Sequence, residues 1–306
     1  MKRLNMFRKE YAGRALVSIC GMLMILITLS IGAFLIYKGS ATFTVFGHSL
    51  SDFFLSADFN PSDSASGPAG TVGAAIFIVG SLLTCGLALL IAAPFSLAAA
   101  IFMSTISPRL GQTYLRPAIE IFVGIPSIVY GWTGLTVLSP FIRDLFHLPY
   151  GNTVFTASLV LALMIFPTIT SVAADSLTAV PESYQQAAYA LGSTRWQMIW
   201  RVMLPAAGPG IGTGIILGLT RAFGEALAVS MVIGKTRAFP QNIFSSTSTL
   251  TSVIASNMGN TFDGTEYNSA LWTMALLLLL ISLFFIILTH LLARQGGGGK
   301  HGPAKT

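Results

Sequence analysis

Six apolar stretches, each long enough to cross a lipid bilayer, constrain this 306-residue chain more than any other feature. A spanning helix needs about 20 predominantly apolar residues. The stretches cover residues 15–37, 71–103, 118–141, 154–175, 209–234 and 269–292. Only 9% of the residues are charged, against roughly a quarter in a soluble domain, so water alone cannot surround the surface. We therefore predict an all-α, polytopic membrane protein with six transmembrane helices.

The first apolar stretch is predicted to remain in the mature protein. It is longer than the apolar region of a signal peptide, which has about 7–15 residues, and no small-residue cleavage site follows it. Cys20 and Cys85 lie in apolar stretches without a CxxC pattern or a nearby His, which indicates packing residues. The 4 His residues are scattered without ligand spacing, so no metal site is expected.

The Lys and Arg residues predict how the chain is oriented, because cytoplasmic loops carry an excess of them. If the N-terminus is cytoplasmic, the positive residues on that side are Lys2, Arg3, Arg8, Lys9, Arg14, Arg109, Arg116, Arg195, Arg201, Arg294, Lys300 and Lys305. Lys38, Arg143, Lys235 and Arg237 then lie outside, and Arg221 falls within a span. Both termini are thus predicted to be cytoplasmic. Membrane topology also accounts for the net charge of +6, so no nucleic-acid partner is expected.

The polar segment between the fourth and fifth stretches is predicted to form two short helices on the cytoplasmic side. Pro181 is suited to the start of the first helix. Gly192 permits a turn with positive φ. Ser193 or Thr194 can cap the second helix, and Pro205 is expected to end it.

The second of these helices has a broad apolar face, because Trp196 and Trp200, and Ile199 and Met203, are each four residues apart. Two interpretations remain open from the residues alone. The face is either a docking element for another protein or an amphipathic hairpin that anchors the loop to lipid headgroups.

The fifth stretch contains two ionisable residues, Arg221 and Glu225, whose spacing predicts one shared helix face and an ion pair. An unpaired Arg at the bilayer centre costs roughly 3 kcal/mol on insertion scales. The face must therefore look into the bundle or a watery path. In one interpretation Arg221 attracts an anion and Glu225 prevents it from being trapped; in the other the pair is structural. Gly210, Gly214 and Gly218 form a ridge of small residues that favours close helix packing.

Two further local features are predicted. Pro126 removes a backbone hydrogen bond and is expected to break the third span, either to line a cavity or to bend the helix. The sequence TLTSVIA, at 249–255, is expected to form a short helix lying on the outer surface.

The cytoplasmic segment resembles the EAA motif of ABC importer permeases, EAA-x3-G-x9-I-x-LP. The matching residues are Gln186, Ala187, Ala188, Gly192, Val202, Leu204 and Pro205. The spacing is met in full, with Gln186 in place of Glu and Val202 in place of Ile. In that family the loop docks into a cleft of the ATP-binding subunit. The resemblance implies that these residues, together with Trp196, couple this chain to an ATPase.

Two other segments narrow the resemblance to the permeases of phosphate-specific ABC importers. They are RAFGEALAVSMVIG at 221–234 and IEIFVGIPSIVYG at 119–131. The AVSMVIG ending and the later TLTSVIA are more similar to the C-type than to the A-type subunit. The resemblance covers about residues 70–292.

The resemblance implies the type I (MetI-like) permease fold in the bacterial plasma (inner) membrane. It also implies four kinds of partner: an A-type permease subunit that completes a heterodimeric pore, an ABC ATPase dimer, an extracytoplasmic phosphate-binding protein, and inorganic phosphate as substrate. Arg221 and Glu225 match family positions in the phosphate path. The chain itself is expected to be no enzyme and to hold no cofactor, with ATP bound by the partner.

One segment superficially resembles a nucleotide site. Gly234, Lys235 and Thr236 are similar to the end of a P-loop, but that motif requires Gly where Val229 stands. We therefore expect no nucleotide site in this chain.

The predicted organisation is an N-terminal tail, first span and outer loop at 1–70, a permease core at 71–292 with its coupling loop at 181–205, and a disordered cytoplasmic tail at 293–306. Two alternatives to phosphate import remain. One is the same machine carrying another oxyanion, such as sulfate, molybdate or phosphonate. The other is a channel or ion-coupled carrier outside the ABC class.

Overall fold

The computed structural model describes residues 2–63, 65 and 70–296, and most of these are helical. The α-helices are α1 (Lys2–Thr44), α2 (Leu50–Leu55), α3 (Ala75–Ile101), α4 (Pro108–Leu110), α5 (Arg116–Gly124), α6 (Ser127–Thr133), α7 (Ser139–Leu145), α8 (Val154–Thr178), α9 (Glu182–Ala190), α10 (Arg195–Met198), α11 (Leu204–Gly224), α12 (Leu227–Val232), α13 (Leu250–Asn257) and α14 (Glu266–Gly296). Short π-helical segments lie at Phe102–Ile106, Gly111–Leu115, Gly134–Leu138 and Ile199–Met203, and a 3₁₀ turn at Met258–Asn260. Strands β1 (Phe59–Asn60) and β2 (Thr71–Val72) form an antiparallel pair with Phe59 opposite Val72.

Within the described residues, five helical segments are long and apolar enough to cross a membrane, and a sixth span results if one bent helix pair is counted. The five are Gly13–Thr44, Ala75–Ile106, Val154–Thr178, Arg195–Gly224 and Glu266–Leu292. The bent pair is Pro108–Gly124 with Ser127–Leu145. The all-α architecture and the multi-pass arrangement predicted from the sequence are confirmed.

The predicted third span is broken by a sharp bend. The two helical parts meet at 91° around Ile125 and Pro126. Ile125 is extended, with φ −69° and ψ 126°, as expected for a residue that precedes proline. The Tyr130 hydroxyl donates to the Phe122 carbonyl across the bend at 2.8 Å. This contact joins α5 to α6 and stabilises the bent form.

The glycine ridge of α11 packs against α8, as predicted. A Cβ on Gly210, Gly214 or Gly218 would come within 2.3 to 3.1 Å of a side-chain atom of Ser176, Val172 or Ile169, respectively. Only a residue without a side chain allows the two helix backbones to approach this closely. The distance between α8 and α11 is thereby set along about two helical turns.

The short helix predicted at residues 249–255 is present as α13, but it does not lie on the surface as predicted. Helix α13 is packed inside the protein: Leu250, Thr251, Ser252 and Val253 are buried. Its N-cap Thr249 forms a capping box with Ser252, and the Leu250 amide donates to the Ser81 hydroxyl on α3 at 3.0 Å. Because these hydroxyls satisfy the helix start, a segment rich in Ser and Thr can be buried.

Helix α1 packs along α14 at the edge of the bundle. Phe34 and Trp272 meet edge to face, with ring centroids 5.2 Å apart. Lys38 donates to Asp263 at 2.7 Å, and this hydrogen bond, with the charge on Lys38, lowers the pKa of the Asp263 carboxyl. Helix α14 continues to Gly296, beyond the start of the tail predicted at 293–306. The remaining part of that predicted tail, 297–306, lies outside the described residues.

Candidate functional site

Arg221 lies near the C-terminal end of α11 and is partly buried. Its Nη1 donates to the Thr168 hydroxyl of α8 at 2.8 Å. Within the described part of the chain, it forms no ion pair with a carboxylate. A guanidinium held at membrane depth by a neutral hydroxyl keeps its positive charge uncompensated, which suits it to attract an anion.

The predicted ion pair between Arg221 and Glu225 is wrong. Helix α11 ends at Gly224, and Glu225 is extended, with φ −78° and ψ 113°. The spacing rule for one helix face therefore does not apply. Glu225 instead accepts a hydrogen bond from the Ala228 amide at 3.2 Å, through Oε1. Its backbone carbonyl accepts from the Thr251 hydroxyl at 3.0 Å.

The two interrupted spans meet beside these residues. Gly131 of α6 faces α12, and a Cβ on it would lie 2.8 Å from the Ala228 Cα. A small cavity next to Glu225 is lined in part by hydroxyl side chains from α3 and α13 and from the residue before α13. They belong to Ser81, Thr84, Thr249 and Thr251. The break between α11 and α12 is therefore surrounded by polar groups inside an apolar bundle.

The segment between α8 and α11 forms the predicted pair of helices. Gly192 has φ +77°, and its amide donates to the Tyr189 carbonyl at 2.9 Å. A Cβ at Gly192 would meet nothing within 4 Å, so backbone conformation, not space, favours glycine there. Thr194 caps α10 in a capping box with Gln197. Of the two caps predicted, Thr194 is the one used.

Pro205 does not end the second helix, contrary to the prediction. Helix α10 continues through the π-helical segment Ile199–Met203 into α11, and Pro205 lies in the first turn of α11. Proline has no amide hydrogen to donate, and the π-helical turn directly before it already shifts the regular backbone hydrogen bonds, so the helix can continue through Pro205. The loop is therefore continuous with the helix that carries Arg221.

The motif residues divide between an inner and an outer set. Ala188 is buried with Met198 and Ile199 in a common apolar cluster. The outward positions are Gln186, Ala187, Gly192, Trp196 and Pro205, all exposed, with Leu204 partly buried. Trp196 is 59% exposed and contacts Trp200, itself 51% exposed, edge to face at 5.6 Å. The two exposed tryptophans form an aromatic surface, which suits either a protein interface or a membrane interface.

Arg195 fastens this loop to the second span. Its Nη2 donates to the carbonyls of Thr105 and Ile106, each at 2.5 Å. These carbonyls belong to the last residues of the π-helical end of α3, where no further helical amide is available to them. Arg195 thus links the start of α10 to the end of another span.

Sequence reasoning identified Arg221 and the motif loop but missed Thr168, Thr251 and the contacts of Arg195. The hydroxyl residues are 53 and 26 positions from their partners, and the carbonyls bonded by Arg195 are 89 and 90 positions away. No local spacing rule covers such distances. Among the described residues, no three His, Cys, Asp or Glu side chains come together as a metal site requires.

Comparison with known proteins places these features in context. Residues 92–295 match a family model described as binding-protein-dependent transport system inner membrane component. The chain is 45% identical over 275 residues to the probable ABC transporter permease protein YqgH of Bacillus subtilis, which covers 90% of this chain and 88% of the relative. It is 35% identical over 296 residues to the phosphate transport system permease protein PstC of Pasteurella multocida, with the same two coverages.

Solved structures share the fold. A chain of a bacterial alginate ABC transporter, in complex with an alginate-bound periplasmic protein, aligns with a TM-score of 0.62 and 15% identity, over 94% of this chain and 96% of that one. A chain of the MetNI methionine ABC transporter in an inward-facing conformation aligns with a TM-score of 0.51 and 18% identity, over 71% of this chain and 96% of the other.

Proposed function

The chain belongs to the binding-protein-dependent transport system inner membrane components, and on this premise we propose that it is a permease subunit for the ATP-driven import of inorganic phosphate. The observation that carries the proposal is the guanidinium of Arg221. It lies within a spanning helix and is bonded to a hydroxyl instead of a carboxylate. Relatives named as phosphate transport system permeases, at 31–36% identity, support phosphate as the anion.

Arg221 is suited to lower the cost of moving an anion through the bundle. Bringing an oxyanion into a low-dielectric region is unfavourable unless a positive group and hydrogen-bond donors replace its water. A guanidinium supplies both, because its planar donors match two oxygens of a tetrahedral oxyanion. Transport also requires that the anion leave again, so it must not be bound too tightly. A single guanidinium, without hydrogen-bond donors on every side of the anion, is consistent with such transient binding.

We also assign Glu225 to this path, but not as the ion-pair partner of Arg221 that the sequence led us to expect. Its carboxylate accepts a hydrogen bond from the Ala228 amide in the first turn of α12, and its backbone carbonyl accepts one from the Thr251 hydroxyl. These two bonds stabilise the interruption of the helix at Glu225, four residues after Arg221. We assign to Glu225 the maintenance of this break, so that the path is lined by polar backbone at membrane depth.

Coupling to ATP is assigned to residues 186–205, with the nucleotide bound by a partner ATPase dimer and no cofactor on this chain. Trp196 and the exposed motif positions offer the docking surface, while the buried Ala188, Met198 and Ile199 hold the loop to the bundle. Closure of the ATPase dimer would move the loop. Its continuity with α11 and the Arg195 contacts to α3 would carry that movement into two spans.

The other partners and the orientation follow from the same proposal. A partly exposed Arg221 should not face lipid, so we propose that an A-type permease subunit covers this side and forms the second half of the path. An extracytoplasmic phosphate-binding protein delivers the anion. The excess of Lys and Arg in the loops assigned to the inside supports a cytoplasmic position for both termini.

The proposal is tested by reconstituting the chain with its partners and measuring labelled phosphate uptake. We expect uptake that requires ATP, is competed by unlabelled phosphate and is not competed by sulfate, molybdate or phosphonate. Arg221→Ala should lower uptake by at least about 100-fold, the equivalent of roughly 3 kcal/mol, while the complex still co-purifies. Arg221→Lys keeps the charge and should retain part of the activity.

Three results would contradict the proposal in different ways. Competition by another oxyanion instead of phosphate would reassign the substrate and leave the ABC mechanism in place. Uptake that persists with an inactive ATPase would indicate a channel or an ion-coupled carrier. Normal uptake by Arg221→Ala would remove Arg221 from the path.

A further inference from the structure

Thr168 differs from the neighbouring hydroxyl residues of α8 in how its hydroxyl is used. Thr170, Ser176 and Thr178 each donate to the backbone carbonyl four residues earlier, at 2.7 or 2.8 Å. The Thr168 oxygen instead accepts from Arg221, and within the described residues no hydrogen bond is donated by Thr168. A hydroxyl can accept and donate at the same time. The Thr168 hydroxyl can therefore still donate a hydrogen bond to a group beside the guanidinium.

The position of this hydroxyl is set by the packing of two helices. Gly218 lies against Ile169, the residue next to Thr168, and a Cβ at Gly218 would be 2.5 Å from the Ile169 Cγ1. Arg221 follows Gly218 by about one helical turn, so its side chain reaches α8 at the level of Thr168. The same close approach holds at Gly214. The close packing at the glycine ridge therefore also places the Thr168 hydroxyl next to the Arg221 guanidinium.

Thr168 also remains accessible. Its side chain is partly exposed, whereas Ile169 and Thr170, the next two residues, are buried. A polar group on a spanning helix that is neither buried nor bonded to its own backbone should face a wet cavity instead of lipid.

We propose that Thr168 is a further anion-binding residue of the path, and that it donates its hydroxyl hydrogen to the same oxyanion that Arg221 attracts. This inference rests on the proposed function and assigns a second ligand to its anion. The hydrogen bond from Arg221 orients the hydroxyl so that its hydrogen points away from the guanidinium, toward an acceptor. A tetrahedral oxyanion next to both groups receives a charge-assisted bond from each.

The first experiment measures phosphate uptake and ATP hydrolysis by the reconstituted complex. Thr168→Val keeps the shape of the side chain and removes both hydrogen-bonding functions, so phosphate uptake per ATP should fall about tenfold. Thr168→Ser retains the hydroxyl and should keep most of the uptake. The matched control is Thr170→Val, which loses a hydroxyl two residues away that is bonded only within α8 and should leave uptake near that of the unsubstituted chain.

The second experiment asks whether an anion lies beside this position. Thr168→Cys is made in a chain with Cys20→Ala and Cys85→Ala, and its reaction with an anionic methanethiosulfonate reagent is timed with and without inorganic phosphate. We expect phosphate to slow the reaction several-fold and sodium chloride at equal ionic strength to leave it unchanged. Thr170→Cys should react slowly under all conditions because the position is buried.

The outcomes separate this inference from the proposed function. If the unsubstituted complex takes up phosphate and Arg221→Ala abolishes uptake, but Thr168→Val transports normally, Thr168 is not a ligand and only this inference falls. Equal reaction rates of Thr168→Cys with and without phosphate would overturn it as well. If the unsubstituted complex takes up no phosphate, the proposed function fails and this inference fails with it.

Discussion

The interruption of the helix at Glu225 changes which group its side chain binds. Four residues after Arg221 in a continuous helix, its carboxylate would neutralise the guanidinium. Because α11 ends at Gly224, the carboxylate instead binds the Ala228 amide. Arg221 keeps its positive charge, and Thr168 becomes its hydrogen-bond partner. Whether the charge of Arg221 is paired with a carboxylate thus depends on where α11 ends.

This arrangement predicts that Glu225 acts as a hydrogen-bond acceptor and not as a counter-charge. Glu225→Gln retains an oxygen for the Ala228 amide and should leave uptake within about twofold of the original. Glu225→Ala leaves that amide without a partner, at a cost of about 1 kcal/mol, and should lower uptake roughly fivefold. Phosphate uptake by the two variants, at equal amounts of co-purified complex, makes the comparison. Equal losses in both variants would instead indicate that the negative charge is needed.

At the level of elements, the loop between the fourth and fifth spans is an extension of α11 rather than a separate hairpin. A turn at Gly192 reverses the chain, a capping box starts α10, and the π-helical segment leads into the span. Arg195 adds a lateral connection to the end of α3. A partner that moves the loop would therefore move two spans together, and loss of the lateral connection should separate their movements.

The element-level prediction concerns Arg195. Arg195→Ala removes both hydrogen bonds to α3, so ATP hydrolysis should continue while phosphate uptake falls about tenfold. The control is Arg109→Ala, because Arg109 is an exposed Arg outside residues 186–205 for which no hydrogen bond occurs within the described residues. The phosphate-to-ATP ratio of the reconstituted complex reports the effect. A ratio unchanged by Arg195→Ala would rule out a role for this contact in coupling.

At the level of the whole molecule, two interrupted spans pack against each other within a bundle of continuous ones. The bend at Pro126 and the break at Glu225 are adjacent because Gly131 allows α6 to approach α12. Continuous helices satisfy their own backbone in lipid, whereas interrupted ones need a protein or water environment. The two interruptions thus lie side by side, one of them four residues after Arg221, where the proposed anion path would need polar groups.

Orientation provides the test at this scale. In a chain without Cys20 and Cys85, Leu191→Cys and Leu55→Cys each introduce one thiol at a highly exposed position, 89% and 79% exposed, respectively. With the loop in the cytoplasm, a membrane-impermeant thiol reagent added to spheroplasts should label Leu55→Cys and spare Leu191→Cys. Both should be labelled after detergent permeabilisation. Labelling of Leu191→Cys in intact spheroplasts would reverse the orientation and exclude docking to a cytoplasmic ATPase.

The amino-acid sequence by itself determined the features that depend on local chemistry. Apolar runs of membrane length predict spans, a glycine with the right neighbours predicts the turn at Gly192, and small residues four apart predict the ridge on α11. Each of these follows from a few consecutive residues and their helical period. The spacing of the motif loop is equally local, which is why it could be recognised without a structure.

Only the tertiary structure decided which residues meet across the bundle. The Thr168 bond to Arg221, the Thr251 bond to Glu225 and the burial of α13 depend on how neighbouring helices are aligned. The expected pairing of Arg221 with Glu225 failed because a helical spacing rule holds only while the helix continues, and its end is stabilised by contacts from another element. Apolar composition places helices in a membrane, but the register between them is set by packing that no single segment encodes.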